Sequence, residues 1–276
     1  MIPEWLVAEN VLETLWLRLK RLTSITLCRK IIERKFPSLS PEISEKKASD
    51  MAWTVRSALG YWETKSGGLN SRILSRYYAL LQFSMTEQIG SINPADNLPS
   101  IQRHTESGHG LFTITDNGTS SFPSSYFIGC LRSGHYYEYC KHLGIDLSQL
   151  IFDRRPHDPI FNIDHFTGAF VHPIGHWGSF LKPYKSGYSG TSLVAPFWGI
   201  NDPFLLHLTV LYGFSIIVRY LPDLWHRIED GDLDHIRAFL EHYLVIVDNV
   251  LPKIIVERLT GIPLMITQPG SLRSQV

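Results

Sequence analysis

Arg103, His104 and His109 fall within seven residues of one another in the stretch IQRHTESGHGLF, residues 101–112. Imidazole titrates near neutrality, so His109 is suited to take a proton from a ribose 2′-hydroxyl or return one to a leaving oxygen. Arg103 would neutralise charge building on phosphate oxygens, and His104 would orient or polarise. The same residues also read without chemistry. A short helix ends at Gly108, and His109 bonds a backbone group in the turn or touches a ligand. Glycines on both sides, Gly108 and Gly110, put His109 at or beyond the helix end.

Arg72 and Arg76, next to Tyr77 and Tyr78, form a second candidate group, for phosphate and a stacked base. Against it, Tyr77 and Tyr78 lie on the apolar stripe of their helix and suit core packing. Between residues 153 and 176 stand Asp153, His157, Asp158, Asp164, His165, His172 and His176. Pro173 and Gly175 interrupt the His172-to-His176 spacing, so no helix face presents two imidazoles; histidines bonding backbone groups in turns are expected rather than a metal site, with a loop-built site as the alternative. Arg219 and Asp223 are expected to close a helix junction as an ion pair. Cys28, Cys130 and Cys140 form no C-x-x-C pair, which argues against a disulfide framework or a zinc site. Cys130 or Cys140 with His135 or His142 is a weak candidate for nucleophilic chemistry, because sequence neighbours rarely form such a dyad. No phosphate loop, nucleophile elbow or dinucleotide fingerprint occurs, and no cofactor is expected.

These groups must be positioned by helices. Trp5, Leu12, Leu15, Trp16, Leu19 and Leu22 recur at helical spacing and predict an amphipathic N-terminal helix. Ser40-Pro41-Glu42 starts another, with Ala48, Met51, Ala52, Val55, Leu59 and Trp62 on its apolar face. Asn70 caps a third, and Asn201-Asp202-Pro203 a fourth. A last long helix runs from Leu233 to beyond Pro252, where a kink is expected. Helical periodicity fades between about residues 100 and 200, and LFTITDNGTSSF reads as two strands about the Asn117-Gly118 turn. The fold class is mostly α (α+β): a helical bundle with an irregular central segment containing short strands. We read one domain, helical over 1–92, mixed over 93–200, long helices over 201–262, and a frayed tail over 263–276.

The chain has 276 residues, 44% hydrophobic and 12% aromatic, which excludes a disordered polymer. Lys plus Arg number 26 and so do Asp plus Glu, so nucleic acid would have to be bound by a local patch. The apolar run FLLHLTVLYGFSIIV is interrupted by His207 and closed by Arg219. We therefore expect a cytoplasmic protein with no membrane span.

The segment LNSRILSRYYALLQFSMTEQI, then HGL, and the block FLLHLTVLYGFSIIVRYLPDLWHRIEDGDLDHIRAFLEHYL together resemble the YaaC-like family of bacterial proteins. SIIVRYLPDLW is the more specific part. The resemblance implies a fold and a bacterial cytosolic setting, and no particular activity. The N-terminal half is more faintly similar to HEPN domains, helical bundles with a YYA-type helix before an Arg-polar-x4-His motif. Tyr77-Tyr78-Ala79 and Arg103-His104-x4-His109 would supply these elements. That likeness implies metal-independent RNA cleavage, often across a dimer.

Two classes of function remain open. One is a HEPN-related RNA-processing or toxin-like component of a bacterial stress or phage-defence module. The other is a non-catalytic helical subunit docking a partner protein, since so many apolar stripes suggest a homo-oligomer or a protein partner.

Overall fold

Local capping decides where the helices begin. In a computed structural model, the described residues are 3–64, 67–115, 122–123, 126–147, 151–152, 170–173, 184–186, 190–192 and 202–267. Among them the chain is mostly helical, with small sheets. It forms two compact units: Met1–Glu63, Ala79–Leu98 and Val247–Val276 make unit 1, and Thr64–Tyr78 and Pro99–Ile246 make unit 2.

In unit 1, α1 (Val11–Arg21) is capped by Asn10, whose Oδ1 accepts from the Glu13 amide at 3.0 Å. Ser24 caps α2 (Ile25–Lys35) in the same manner. Ser40 and Pro41 open α3 (Pro41–Trp62) as expected: the hydroxyl accepts from the Ile43 amide, and proline occupies a position whose missing N–H costs nothing. Leu15, Leu19, Ile32, Ala52 and Val55 are buried at 1% exposure or less, so the apolar stripes meet as a core. Burial of each leucine contributes about 2 kcal/mol.

The N-terminal expectation needs correction. Trp5 belongs to a strand, β1 (Glu4–Val7), and the helix starts only after Asn10. The partner strand is β8 (Leu264–Thr267), parallel to β1 with Glu4 opposite Leu264 and Val7 opposite Thr267. Leu264–Thr267 therefore leaves the predicted frayed tail. Leu6 and Leu264 are buried at 3% and 2%, which anchors the ribbon that a tail reading ignores.

Unit 2 is built around α7 (Pro203–Tyr220), capped by Asp202, whose Oδ1 accepts from the Leu205 amide at 2.9 Å. By length and composition α7 is long and apolar enough to cross a membrane, contrary to the expectation that His207 interrupts it. It is 78% buried, as the core helix of a folded unit would be. His207 fits there because its Nδ1 pairs with the Tyr243 hydroxyl at 2.9 Å. Tyr220 ends α7, and Pro222 opens α8 (Pro222–Asp230). In α9 (Asp234–Thr260) the helix runs on through Pro252.

The central segment has α5 (Leu98–Glu106), the short helix expected before Gly108, and α6 (His135–His142), which the fading periodicity concealed. Its main sheet joins β2 (Leu111–Thr115), β3 (Tyr126–Leu131), β4 (Ile151–Phe152) and β5 (Phe170–Pro173). The predicted first strand is β2. Its antiparallel partner is β3, with Thr115 opposite Tyr126, so the strands are not joined by the two-residue Asn117-Gly118 turn. That turn lies outside the described residues. A separate hairpin pairs β6 (Tyr184–Ser186) with β7 (Gly190–Ser192).

Candidate functional site

His109 sits on the short connection from α5 to β2, as its flanking glycines predict, with Gly108 at φ +97°. The connection is fastened from the other side by the start of α6. The His135 amide donates to the Gly108 carbonyl at 3.1 Å, and the Tyr136 amide donates to the His109 carbonyl at 2.9 Å. The first amides of a helix have no partner within it, so here the backbone around His109 serves as the cap that Gly134 cannot supply. A Cβ on Gly134 would lie 2.5 Å from the Gly110 nitrogen and 2.6 Å from the Gly108 oxygen. The loop can approach this closely only because residue 134 is glycine.

The His109 ring meets Tyr77 edge-on at 5.7 Å between centroids and Tyr212 at 6.3 Å. The ring is half-buried, and its Nδ1 is a buried atom without a hydrogen-bond partner among the described residues. Burial, and secondarily the positive charge of Arg219, hold its pKa below the ordinary imidazole value. His109 is therefore neutral at physiological pH and has a free lone pair or a free N–H, according to tautomer.

Arg219 is the neighbouring cation. Its Nε donates to the Ser215 carbonyl at 2.9 Å, Nη2 to the Ser215 hydroxyl at 3.0 Å, and Nη1 to the Tyr78 hydroxyl at 3.1 Å. These contacts take the place of the expected ion pair with Asp223. Three bonds fix the plane and leave two of the five guanidinium N–H groups for an anion. Tyr212 in turn donates its hydroxyl to the Leu111 carbonyl at 2.6 Å, tying α7 to β2 beside His109. The result is a half-buried acceptor and a preorganised cation within one aromatic cluster. The spare guanidinium donors of such a cluster can engage phosphate or carboxylate.

The other predicted residues distribute unevenly. His104, in the last turn of α5, is half-buried, and its charge and that of His109 both bear on His135. Burial first, and those two imidazoles second, push the His135 pKa down to about 3. Arg103 is exposed and makes no hydrogen bond or ion pair among the described residues, and the cation whose charge bears on His109 is Arg219. Arg76 is only 4% exposed, which withdraws it from any RNA-facing surface, whereas Arg72 is half-buried. Of the Asp153-to-His176 cluster, only His172 falls within the described backbone, on β5; the others lie outside the described residues. Among the described residues no group of His, Cys, Asp and Glu is arranged to hold a metal. Cys130 and Cys140 are buried free thiols whose pKa burial pushes well up, so neither is a ready nucleophile.

Sequence reasoning missed Arg219 as a partner of His109. A signal existed: Tyr212, Ser215 and Arg219 follow one another at three- and four-residue steps, which places a phenol, a hydroxyl and a guanidinium on one face of α7.

The fold and this cluster thus define a mostly helical protein with a His–Arg–Tyr site in its second unit. Comparison with known families gives the next step. The model of the family described as YaaC-like Protein matches residues 176–259, which include Tyr212, Ser215 and Arg219. The similarity bears out the likeness carried by the C-terminal block of the sequence. No curated protein and no solved structure gives a significant match.

Proposed function

We propose that unit 2 carries a HEPN-related, metal-independent RNA-processing centre, of the kind a toxin-like component of a bacterial stress or phage-defence module would use. His109 accepts the proton of the attacking ribose 2′-hydroxyl, the 2′-oxygen bonds to phosphorus as the phosphorus–5′-oxygen bond breaks and the leaving oxygen takes a proton from water, and Arg219 takes the role first assigned to Arg103, neutralising the phosphate. The observation that carries this reading is the pairing of a neutral, half-buried imidazole with a guanidinium held by Ser215 and Tyr78. A base already free of its proton at pH 7, beside a cation with spare donors, is what cleavage through the 2′-oxygen requires. Tyr77 and Tyr212 would shield the site from bulk water and strengthen the attraction of Arg219 for phosphate.

The test is cleavage of a labelled single-stranded RNA in EDTA by wild type, His109→Gln, Arg219→Lys and Arg103→Ala, with folding followed by circular dichroism. Cleavage lost by more than about a hundredfold in the first two variants and retained in Arg103→Ala is the expected result. Equal rates for all four folded proteins, or no cleavage by any, would overturn the reading.

A second reading, a non-catalytic subunit that docks a partner protein, has its own observation in unit 1. Trp5 and Met265 lie opposite each other on the β1–β8 ribbon and are 53% and 43% exposed, with Val7 at 47% on the same side of β1. Exposed apolar side chains grouped in this way mark contact surfaces. If docking is the function, Trp5→Ser with Met265→Ser abolishes partner capture and leaves folding intact, while His109→Gln changes nothing.

A further inference from the structure

Unit 1 contains a cleft of about 370 Å³ bordered by α1, α2, β1 and the end of α9. Four cations stand around it: Arg18 and Arg21 from the last turn of α1, and Lys30 and Arg34 from α2. Glu4 is the one carboxylate at its rim. Arg18 is engaged with Glu4 at 2.6 Å, and Arg34 donates to the Thr260 carbonyl at 2.7 Å. Arg21 and Lys30 make no hydrogen bond or ion pair among the described residues. Positive charge thus exceeds negative in a recess whose floor is low in dielectric, where a field is focused rather than dissipated. The Glu4 carboxyl registers that field: the hydrogen bond from Arg18 lowers its pKa most, and the charges of Arg34 and Arg21 lower it further.

The floor is aliphatic. Leu27, Ile31 and Val256 line it, and no aromatic ring does. A flat base would find nothing to stack on, whereas a branched or short linear chain would bury its surface. The volume lies within the range of small-molecule sites and is too small for a polymer.

We infer that this cleft binds a soluble organic phosphate or diphosphate with a short aliphatic body. The anionic end lies between Arg21 and Lys30, draws Arg18 away from Glu4, and leaves the chain on Leu27 and Ile31. This site belongs to unit 1 and is independent of the His109 centre.

Isothermal titration of the full chain with dimethylallyl diphosphate, inorganic pyrophosphate and adenosine monophosphate tests the inference. Dimethylallyl diphosphate is expected to bind at least about tenfold more tightly than either of the others. The Arg21→Glu, Lys30→Glu double variant is expected to lose at least that factor while keeping the wild-type thermal midpoint, since both side chains are exposed. Glu4→Gln, which removes the competing carboxylate, should tighten binding several-fold. Absence of dimethylallyl diphosphate binding, unchanged affinity in the double variant, or equal affinity for pyrophosphate would overturn it. Flotation with phosphatidic acid vesicles but no binding of the soluble ester would also overturn it, by assigning the cations to a membrane headgroup.

Discussion

Lys47 in unit 1 and His207 in unit 2 are both buried ionisable side chains, at 1% and 0% exposure. Lys47 is spent on structure: Nζ donates to the Ile89 carbonyl at 2.9 Å and to the Asp96 carbonyl at 2.7 Å, closing the end of α4 (Leu69–Ile89). Burial pushes its pKa down to about 8, against the opposing pull of Asp96 and Asp50. His207 is spent only in part. One ring nitrogen meets Tyr243, and the buried Nε2 has no partner among the described residues. Burial alone pushes its pKa down to about 4. An ammonium held by two carbonyls fixes geometry. An imidazole with a spare nitrogen keeps proton chemistry in reserve, at a cost in stability whenever the solution would protonate it. Unit 2 repeats the second pattern at His109, which is where we place the activity.

The largest effect should come from acid. The folded pKa values of His207 and His135, about 4 and about 3, lie below the ordinary histidine value of 6.5. The unfolded chain therefore binds protons first as pH falls. Their contribution is fully present above about pH 6.5 and is lost progressively toward pH 4 and pH 3, on the order of 3 kcal/mol for each residue by pH 4. Urea midpoints at pH 7.5 and pH 4.5 measure it. His207→Leu should flatten a large part of the decline; an unchanged slope would mean that the two units do not differ in this respect.

Next in size is Gly134→Ala. It forces a Cβ against the Gly110 backbone at φ +95° and should cost about 3 kcal/mol, read from thermal or urea unfolding. Lys47→Met, which leaves two carbonyls without their donor, should cost about 2 kcal/mol by the same measurement. Gly108→Ala, at φ +97° with open space around the added carbon, should cost only about 1 kcal/mol. Together the two glycines separate backbone strain from steric closure of the His109 loop.

Caps and stripes were legible because they are local. Ser40-Pro41 and Asp202-Pro203 each hold their partner amides within three residues, so the helix starts are written in a few letters. The placement of His109 beyond a helix end was legible for the same reason. Arg219 was not, because its nearness to His109 depends on how α7 crosses the start of β2. Nor was the burial of Arg76, which short-range pattern cannot distinguish from an exposed basic residue. Trp5 misled through a spacing that coincided with the helical stripe of Leu12, Leu15 and Leu19. A strand whose pairing partner lies at Met265 leaves no short-range signature.

That pairing also sets an order of events during synthesis. Strand β1 leaves the ribosome some 260 residues ahead of its parallel partner. At roughly 5–20 residues per second, Trp5 and Leu6 wait on the order of 13 to 50 seconds for their backbone partners. Through that interval an apolar strand with unpaired amides is open to whatever meets it first, chaperone or neighbouring chain.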